Sequence, residues 1–237
     1  MNEVASKGAA AGARYDEGAR KPLKIMNRGR RKSKNPETAR RILAAAEHEF
    51  AAYGLAGARI DEIARVAGVN KAMLYYYFDS KERLHRAVFE NLFAQANRLI
   101  QAEAPAAASV REILLAFIDG YFKFRVANPN YARLMQHMMM ESPGEFRRIA
   151  RQYFKQGYQQ LTDAIARGIA RREIHPIDAE HTVINIIAMI VFYFSGAPVH
   201  SVLLGRDALQ PHAVAEHKRA VIALLDHGLF RNHTRRS

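Results

Sequence analysis

Gly54–Phe78 reads GLAGARIDEIARVAGVNKAMLYYYF, with the spacing of two short helices joined by a tight turn. Ile60, Ile63, Ala64 and Ala67 recur at three- and four-residue steps, which is one apolar face of a helix. Gly68 follows where a helix end favours a residue that tolerates positive φ. Asn70 can cap a second helix through its side-chain oxygen. Leu74 and Phe78, four apart, give that helix its buried face, and Lys71, Ala72, Met73, Tyr75, Tyr76 and Tyr77 make up the rest. Consecutive helical side chains point about 100° apart, so three tyrosines in a row cannot all be core. At least one ring is exposed on a short helix behind a glycine turn, the pattern of a recognition helix.

Outward from this stretch the chain reads as helices throughout. Asn35 and Pro36 start a first helix, asparagine as cap and proline where its missing N–H costs nothing. Ile42, Ala46 and Phe50 give it one face, and Gly54 ends it after Tyr53. Asp79 before Ser80-Lys81-Glu82 reads as an acidic cap with a glutamate three residues on. The helix it opens carries Leu84, Val88 and Leu92 and runs to about Ala104, where Pro105 and its alanines mark a break. Ser109 and Glu112 form a further capping box, before a helix with Ile113, Phe117 and Phe124. A helix with Tyr131, Leu134, Met135, Met138 and Met139 follows Asn128-Pro129-Asn130. Ser142-Pro143-Gly144-Glu145 opens one long helix to about Arg172, with Phe146, Ile149, Tyr153, Leu161 and Ile165 on its buried side. His175-Pro176 is a loop, and Asp178 caps the next helix.

Val183 to Phe194 has the residue types of a strand, but no partner strand is visible and both flanks are helical, so it is read as helix. A helix apolar on nearly all sides must be buried on nearly all sides, one side against its own domain and the other against a second subunit. The last helix, about His212 to Leu229, offers Val214, Val221, Leu224, Leu225 and Gly228 at near-heptad steps. Together these two helices read as half of a four-helix homodimer interface.

The 237 residues suit one or two domains with a real core, and 49% of them are hydrophobic. There is no cysteine, which excludes disulfides and zinc–thiolate sites. The first residues lack the apolar core of a signal peptide, and the run from Val183 to Phe194 is too short for a bilayer, which takes about 20 residues. The expected location is cytoplasmic. The formal charge is +13. Residues 1–34 hold ten basic residues against three acidic ones, a net +7, whereas residues 35–84 balance seven against seven. Residues 85–237 supply the other +6. Next to the helix-turn-helix the excess sits in an arm of disordered composition before the helices, an electrostatic lead onto DNA phosphates. A solvated tail that aids solubility is the other reading; for Arg28 to Lys34, beside the helices, DNA is favoured.

The strings TARRILAAAEHEFAAYGL (38–55), IDEIARVAGV (60–69) and LYYYFDSKERL (74–84) make the chain resemble the TetR-type transcriptional regulators. The combination of Ile63-Ala64, Ala67-Gly68-Val69, Leu74-Tyr75-Tyr76 and Phe78 with Ser80-Lys81-Glu82 is highly specific. Two positions depart from the usual pattern. Arg59 stands where the family most often caps the second helix with Thr or Ser, and Ala72 and Met73 stand where Gly and Thr are common. MNRGRRKSKNPETAR, from Met26, is similar to a typical start for this family, so Met1 and Met26 both stand as initiators.

The resemblance implies an all-α fold: a basic arm (1–34), a three-helix helix-turn-helix domain (35–84) and a C-terminal helical domain for effector binding and dimerisation (85–237). It implies a cytoplasmic homodimer that binds a double-stranded DNA operator and is released by a small, mainly apolar effector. An activator or a broad DNA organiser of the same fold is the alternative, and a helical enzyme a more distant one. Lys71, Ala72 and Met73 lead the recognition helix towards base edges; a lysine can donate to guanine and a methionine can touch a thymine methyl. Tyr76 and Lys81 match family positions that meet phosphate, and Tyr75, Tyr77 and Arg59 join them as DNA-binding candidates. A solvated lysine and partly core rings are the plainer readings. Tyr121, Phe122, Met135, His137, Met139, Tyr158 and Phe192 are the candidate ligand-binding residues, with a filled core as the plainer reading. The ten histidines show no HExxH, and no metal, cofactor or catalytic constellation is expected.

Overall fold

The computed structural model describes residues 35–101 and 108–231. The basic arm, the expected end of the fourth helix near Ala104 and the break at Pro105 lie outside them. The described residues form eleven α-helices: α1 Pro36–Gly57, α2 Ile60–Ala67, α3 Lys71–Phe78, α4 Lys81–Gln101, α5 Val110–Ala127, α6 Tyr131–Glu141, α7 Pro143–Ile149, α8 Lys155–Ala170, α9 Ala179–Ser195, α10 Ala197–Leu204 and α11 Pro211–Gly228. A π-helical turn, Ala150–Phe154, joins α7 to α8. There is no strand among the described residues; Ile174 and Phe230 form an isolated antiparallel bridge. Val183 to Phe194 is helix, as its context required.

Local chemistry explains most helix starts. Asn35 accepts from the Glu37 N–H at 2.9 Å, Asn70 from Met73 at 2.7 Å and Asp178 from His181 at 2.8 Å. Ser109 and Glu112 make both halves of their capping box. Gly68 ends α2 at φ 65°, ψ 39°. Two expectations need correction. Asp79 does not cap α4: it ends α3 at φ 63°, its carboxylate takes Arg83, and Ser80 Oγ accepts from the Arg83 N–H at 3.2 Å. Ser142 makes no side-chain cap bond at α7. The long helix from Ser142 runs without a gap from Pro143 to Ala170, and the π turn within it carries Tyr153 and Phe154, whose ring centroids lie 5.0 and 5.1 Å from that of Phe93.

Two apolar cores result. The first joins α1, α2, α3, α4 and α6 around Ile42, Phe50, Ile63, Leu74, Phe89 and Leu134, all fully buried. The second joins α5, α8, α9 and α11 around Leu114, Ile118, Phe122, Ile165, Ile190 and Val221. Three residues expected at a subunit seam, Val214, Val221 and Leu225, belong to this second core, because their face of α11 packs on the chain's own helices. Leu224 is 62% exposed, and Gly228 is also exposed.

His85 is buried within the first core, with its ring 4.8 Å from Phe50 and 5.0 Å from Phe89. Burial drives its imidazole down to about 4, assisted by His137 and Lys81 and opposed by Glu141 and Glu145. The folded value lies below the unfolded one, so between the two the unfolded chain binds the extra proton. The associated stability is present above about pH 6.5 and is lost as pH falls towards 4. In urea titrations at pH 7 and pH 4.5, wild type is expected to lose about 2–3 kcal/mol more than His85→Phe. Equal losses in the two proteins would dissociate His85 from the acid sensitivity.

Candidate DNA-reading face and effector cavity

The two helices of the opening motif are held by different devices. Asn70 caps α3, whereas Arg59 at the start of α2 makes no side-chain cap bond. Its backbone N–H donates to Glu49 Oε1 at 3.0 Å, a buried carboxylate from α1 that anchors the start of α2. On α3, Leu74 faces the core and Lys71, Ala72, Met73, Tyr75 and Tyr76 are exposed on one continuous surface. Lys71 Nζ lies 3.1 Å from the Asp61 carboxylate, an exposed pair of little worth to stability and readily exchanged for another anion. Tyr77 is set apart from this surface. Half-buried, its hydroxyl accepts from the Asn35 N–H at 2.8 Å and ties α3 to the start of α1. Lys81 Nζ donates to the Ala56 carbonyl at 3.1 Å, and the Arg59 side chain is exposed.

A cavity of about 920 Å³ lies between the cores. Tyr121, Met135, Met139 and Tyr158 line it; Phe122, His137 and Phe192 do not. Phe122 turns into the second core beside Phe194, and Phe192 is 65% exposed on the outer side of α9. His137 points the other way along α6, its Nδ1 2.7 Å from Glu141 Oε1. Sequence reasoning missed Arg125, which lines the cavity while 3% exposed, its guanidinium carbon 4.9 Å from the centroids of both Tyr131 and Phe194. Its position was readable: it continues the apolar stripe of Ile118 and Phe122 at a three-residue step, where a charge is out of place. Burial lowers the guanidinium from its ordinary value and pushes the Tyr121 phenol up to about 12. Two desolvated ring contacts contribute about 2 kcal/mol each, against several for burying an unpaired ion.

The far end of α6 reaches the end of α1. Glu141 Oε2 accepts from the Leu55 N–H at 2.8 Å and the Ala56 N–H at 3.3 Å, immediately after α1 breaks at Gly54. Gly54 sits at φ 67°, ψ −175°, and a Cβ there would meet Glu141 Oε1 at 1.9 Å.

Two family profiles match the chain: bacterial regulatory proteins of the tetR family over residues 42–88, and the tetracyclin repressor-like C-terminal domain over residues 111–225. The chain belongs to the TetR family of bacterial regulatory proteins. This TetR-family chain is 34% identical over 120 residues to the HTH-type transcriptional repressor NicS of Pseudomonas putida, an alignment covering 48% of this chain and 53% of NicS. It is 27% identical over 192 residues to the HTH-type transcriptional regulator RutR of Escherichia coli K12, covering 76% of this chain and 86% of RutR. Its fold is that of a transcriptional regulator of Saccharomonospora viridis solved in complex with choline, with a TM-score of 0.63 at 21% identity, over 84% of this chain and 100% of that one. The relatives are named as transcriptional regulators.

The clamp at Gly54 can be tested within the TetR-family chain itself. Alanine in that backbone region costs about 1–3 kcal/mol, and its methyl must in addition displace the Glu141 carboxylate. In a double-mutant cycle read by urea denaturation, Gly54→Ala is expected to cost more in wild type than in a Glu141→Ala background. Strict additivity would mean that the two residues do not share a site.

Proposed function

We propose that this TetR-family regulator is a homodimeric repressor. Residues 35–84 read an operator, and residues 85–237 bind a small, mainly apolar effector that releases it. The observation that carries the reading is the reach of α6. Met135 and Met139 face the cavity, while Glu141 on the same helix holds the Leu55 and Ala56 N–H groups beside the DNA-reading helices. The repressor role is supported by the named role of NicS. In the complex two copies of α3 enter successive major grooves about one helical turn apart. Lys71, Ala72 and Met73 meet base edges, Tyr75 joins Tyr76 and Lys81 on the backbone, and Tyr77 acts as a brace.

The subunit seam is proposed on the exposed apolar face of α9, α10 and α11. Ile184, Phe192, Val199, Val202, Leu203 and Leu224 are all 50% exposed or more. Exposed apolar area of this kind marks an interaction surface. Among the described residues no single helix is long and apolar enough to cross a membrane; α9 and α10 have the length only together, and they meet at 79°.

Two experiments test the reading. Sequences selected from random DNA yield an operator, against which variants are titrated. Tyr76→Phe and Lys81→Ala are expected to weaken all sequences alike, and Lys71→Ala and Met73→Ala to alter base preference by about 1–3 kcal/mol at one or two positions. An unchanged preference in Lys71→Ala removes Lys71 from the base edges. In sedimentation, Leu203→Glu is expected to give a helical monomer, whereas Val221→Glu, buried in the chain's own core, loses several kcal/mol of fold stability. A dimer that persists in both Leu203→Glu and Leu224→Glu moves the seam elsewhere.

A further inference from the structure

Among the described residues, Arg125 is a cation without a counter-ion. It is buried in α5 on the cavity wall, and its Nε and Nη1 have no hydrogen-bond partner. No described ion pair includes it. The flanking Tyr131 and Phe194 rings attract the charge but make no hydrogen bond to its N–H groups. The described lining of the cavity holds three cations, Arg125, Lys155 and Arg167, and no Asp, Glu or His. Lys155 and Arg167 are exposed; only Arg125 is withdrawn from water. An arginine stays charged in a protein, and a buried charge is retained when something pairs with it. The rest of the wall is mostly apolar and aromatic, which favours a ligand with one charged end over a polyanion.

We propose that the ligand of this cavity is a monocarboxylate with an aromatic or extended apolar body, its carboxylate paired with the Arg125 guanidinium. The proposal rests on the effector reading of the cavity and narrows it from an apolar ligand to an apolar acid. A guanidinium offers five N–H donors in a plane and a carboxylate two acceptor oxygens, so one ligand group can satisfy donors that the protein leaves open. The cavity, at about 920 Å³, is near the upper end of the range for small-molecule sites and accepts acids well beyond benzoate in size. The competing account makes Arg125 a structural brace held by its two rings, with a neutral ligand or none.

The test uses the full-length protein and matched probes. Benzoate, 4-phenylbutyrate and dodecanoate are compared with their primary amides, and phenyl phosphate and benzylamine serve as dianion and cation arms. Thermal stabilisation, dissociation constants and operator release are read for wild type, Arg125→Lys and Arg125→Met. At least one acid is expected to bind wild type about tenfold or more tightly than its amide. Arg125→Met is expected to abolish that preference while leaving the midpoint of the ligand-free protein unchanged or higher, because an unpaired buried charge has been replaced by an apolar side chain. Arg125→Lys keeps the charge without the planar fork and is expected to retain part of the preference. The proposal is overturned if no acid binds, if the amides, benzylamine or phenyl phosphate bind as well as the acids, or if Arg125→Met keeps the acid preference. A lowered ligand-free midpoint in Arg125→Met together with unchanged acid affinity identifies the structural brace. Release of operator by neutral probes alone rejects the carboxylate and leaves the effector reading standing; failure of every probe to stabilise or release rejects both.

Discussion

The Glu141 carboxylate is the contact on which the arrangement of the first core depends. After α1 breaks at Gly54, the N–H groups of Leu55 and Ala56 require acceptors. Glu141 reaches them from α6, some 85 residues further along the chain, and its other oxygen takes His137. Burial alone would raise the Glu141 carboxyl, but the hydrogen bonds from His137, Ala56 and Leu55 outweigh it and hold the group below its ordinary range. Lowered in the fold, it favours the folded chain above the ordinary carboxylate range, and that support is lost as pH falls through its folded value. The turn it fixes presents the Ala56 carbonyl to Lys81 at the start of α4. One carboxylate therefore sets α6, the end of α1 and the beginning of α4 against one another. Gly54 is the residue that makes room for it, since any side chain there would occupy the carboxylate's place.

What could be read from the sequence was local. The apolar face of α2, the turn at Gly68 and the caps at Asn35, Asn70 and Ser109 depend on residues within four positions of each other, and each appears as expected. What could not be read depends on distant partners. Glu49 accepts from the Arg59 N–H at the start of α2, ten residues away and on another helix. The stripe on α11 announced a buried face without saying whether its partner was the same chain. Val214, Val221 and Leu225 turned out to be internal, and the exposed apolar face passes instead through α10, a short helix the sequence reading did not register. The π turn at Ala150–Phe154 was hidden for a different reason: one inserted register step leaves composition and caps unchanged and alters only which side chains face inward.

The cavity follows from how α5 divides its apolar residues. Leu114, Ile118 and Phe122 fill the second core, while Ile113, Phe117 and Tyr121 face the open space one register step round the helix. On the opposite wall the π turn stacks Tyr153 on Phe93. The space is thus bounded by rigid aromatic walls, with flexible thioethers from Met135 and Met139 on the α6 side.

That placement sets how α6 can respond. Leu134 and Met138 bury one face of α6 in the first core, Met135 and Met139 meet the cavity on another, and Glu141 closes its end on Leu55 and Ala56. An eleven-residue helix of about three turns moves nearly as a rigid rod, so displacement at the methionines is displacement at the carboxylate. The thioethers provide slack, because rotamer changes absorb small occupants before the helix itself is pushed. In the proposed mechanism the ligand must therefore prefer one position of α6 over the other; an occupant taken up by rotamer changes alone stabilises both arrangements equally and shifts nothing. Affinity for the cavity and release of DNA are separate properties of a ligand in this architecture. In the proposed mechanism the first is set by the aromatic walls and the charge on α5, and the second by how far the occupant drives α6 past the slack in its two methionines.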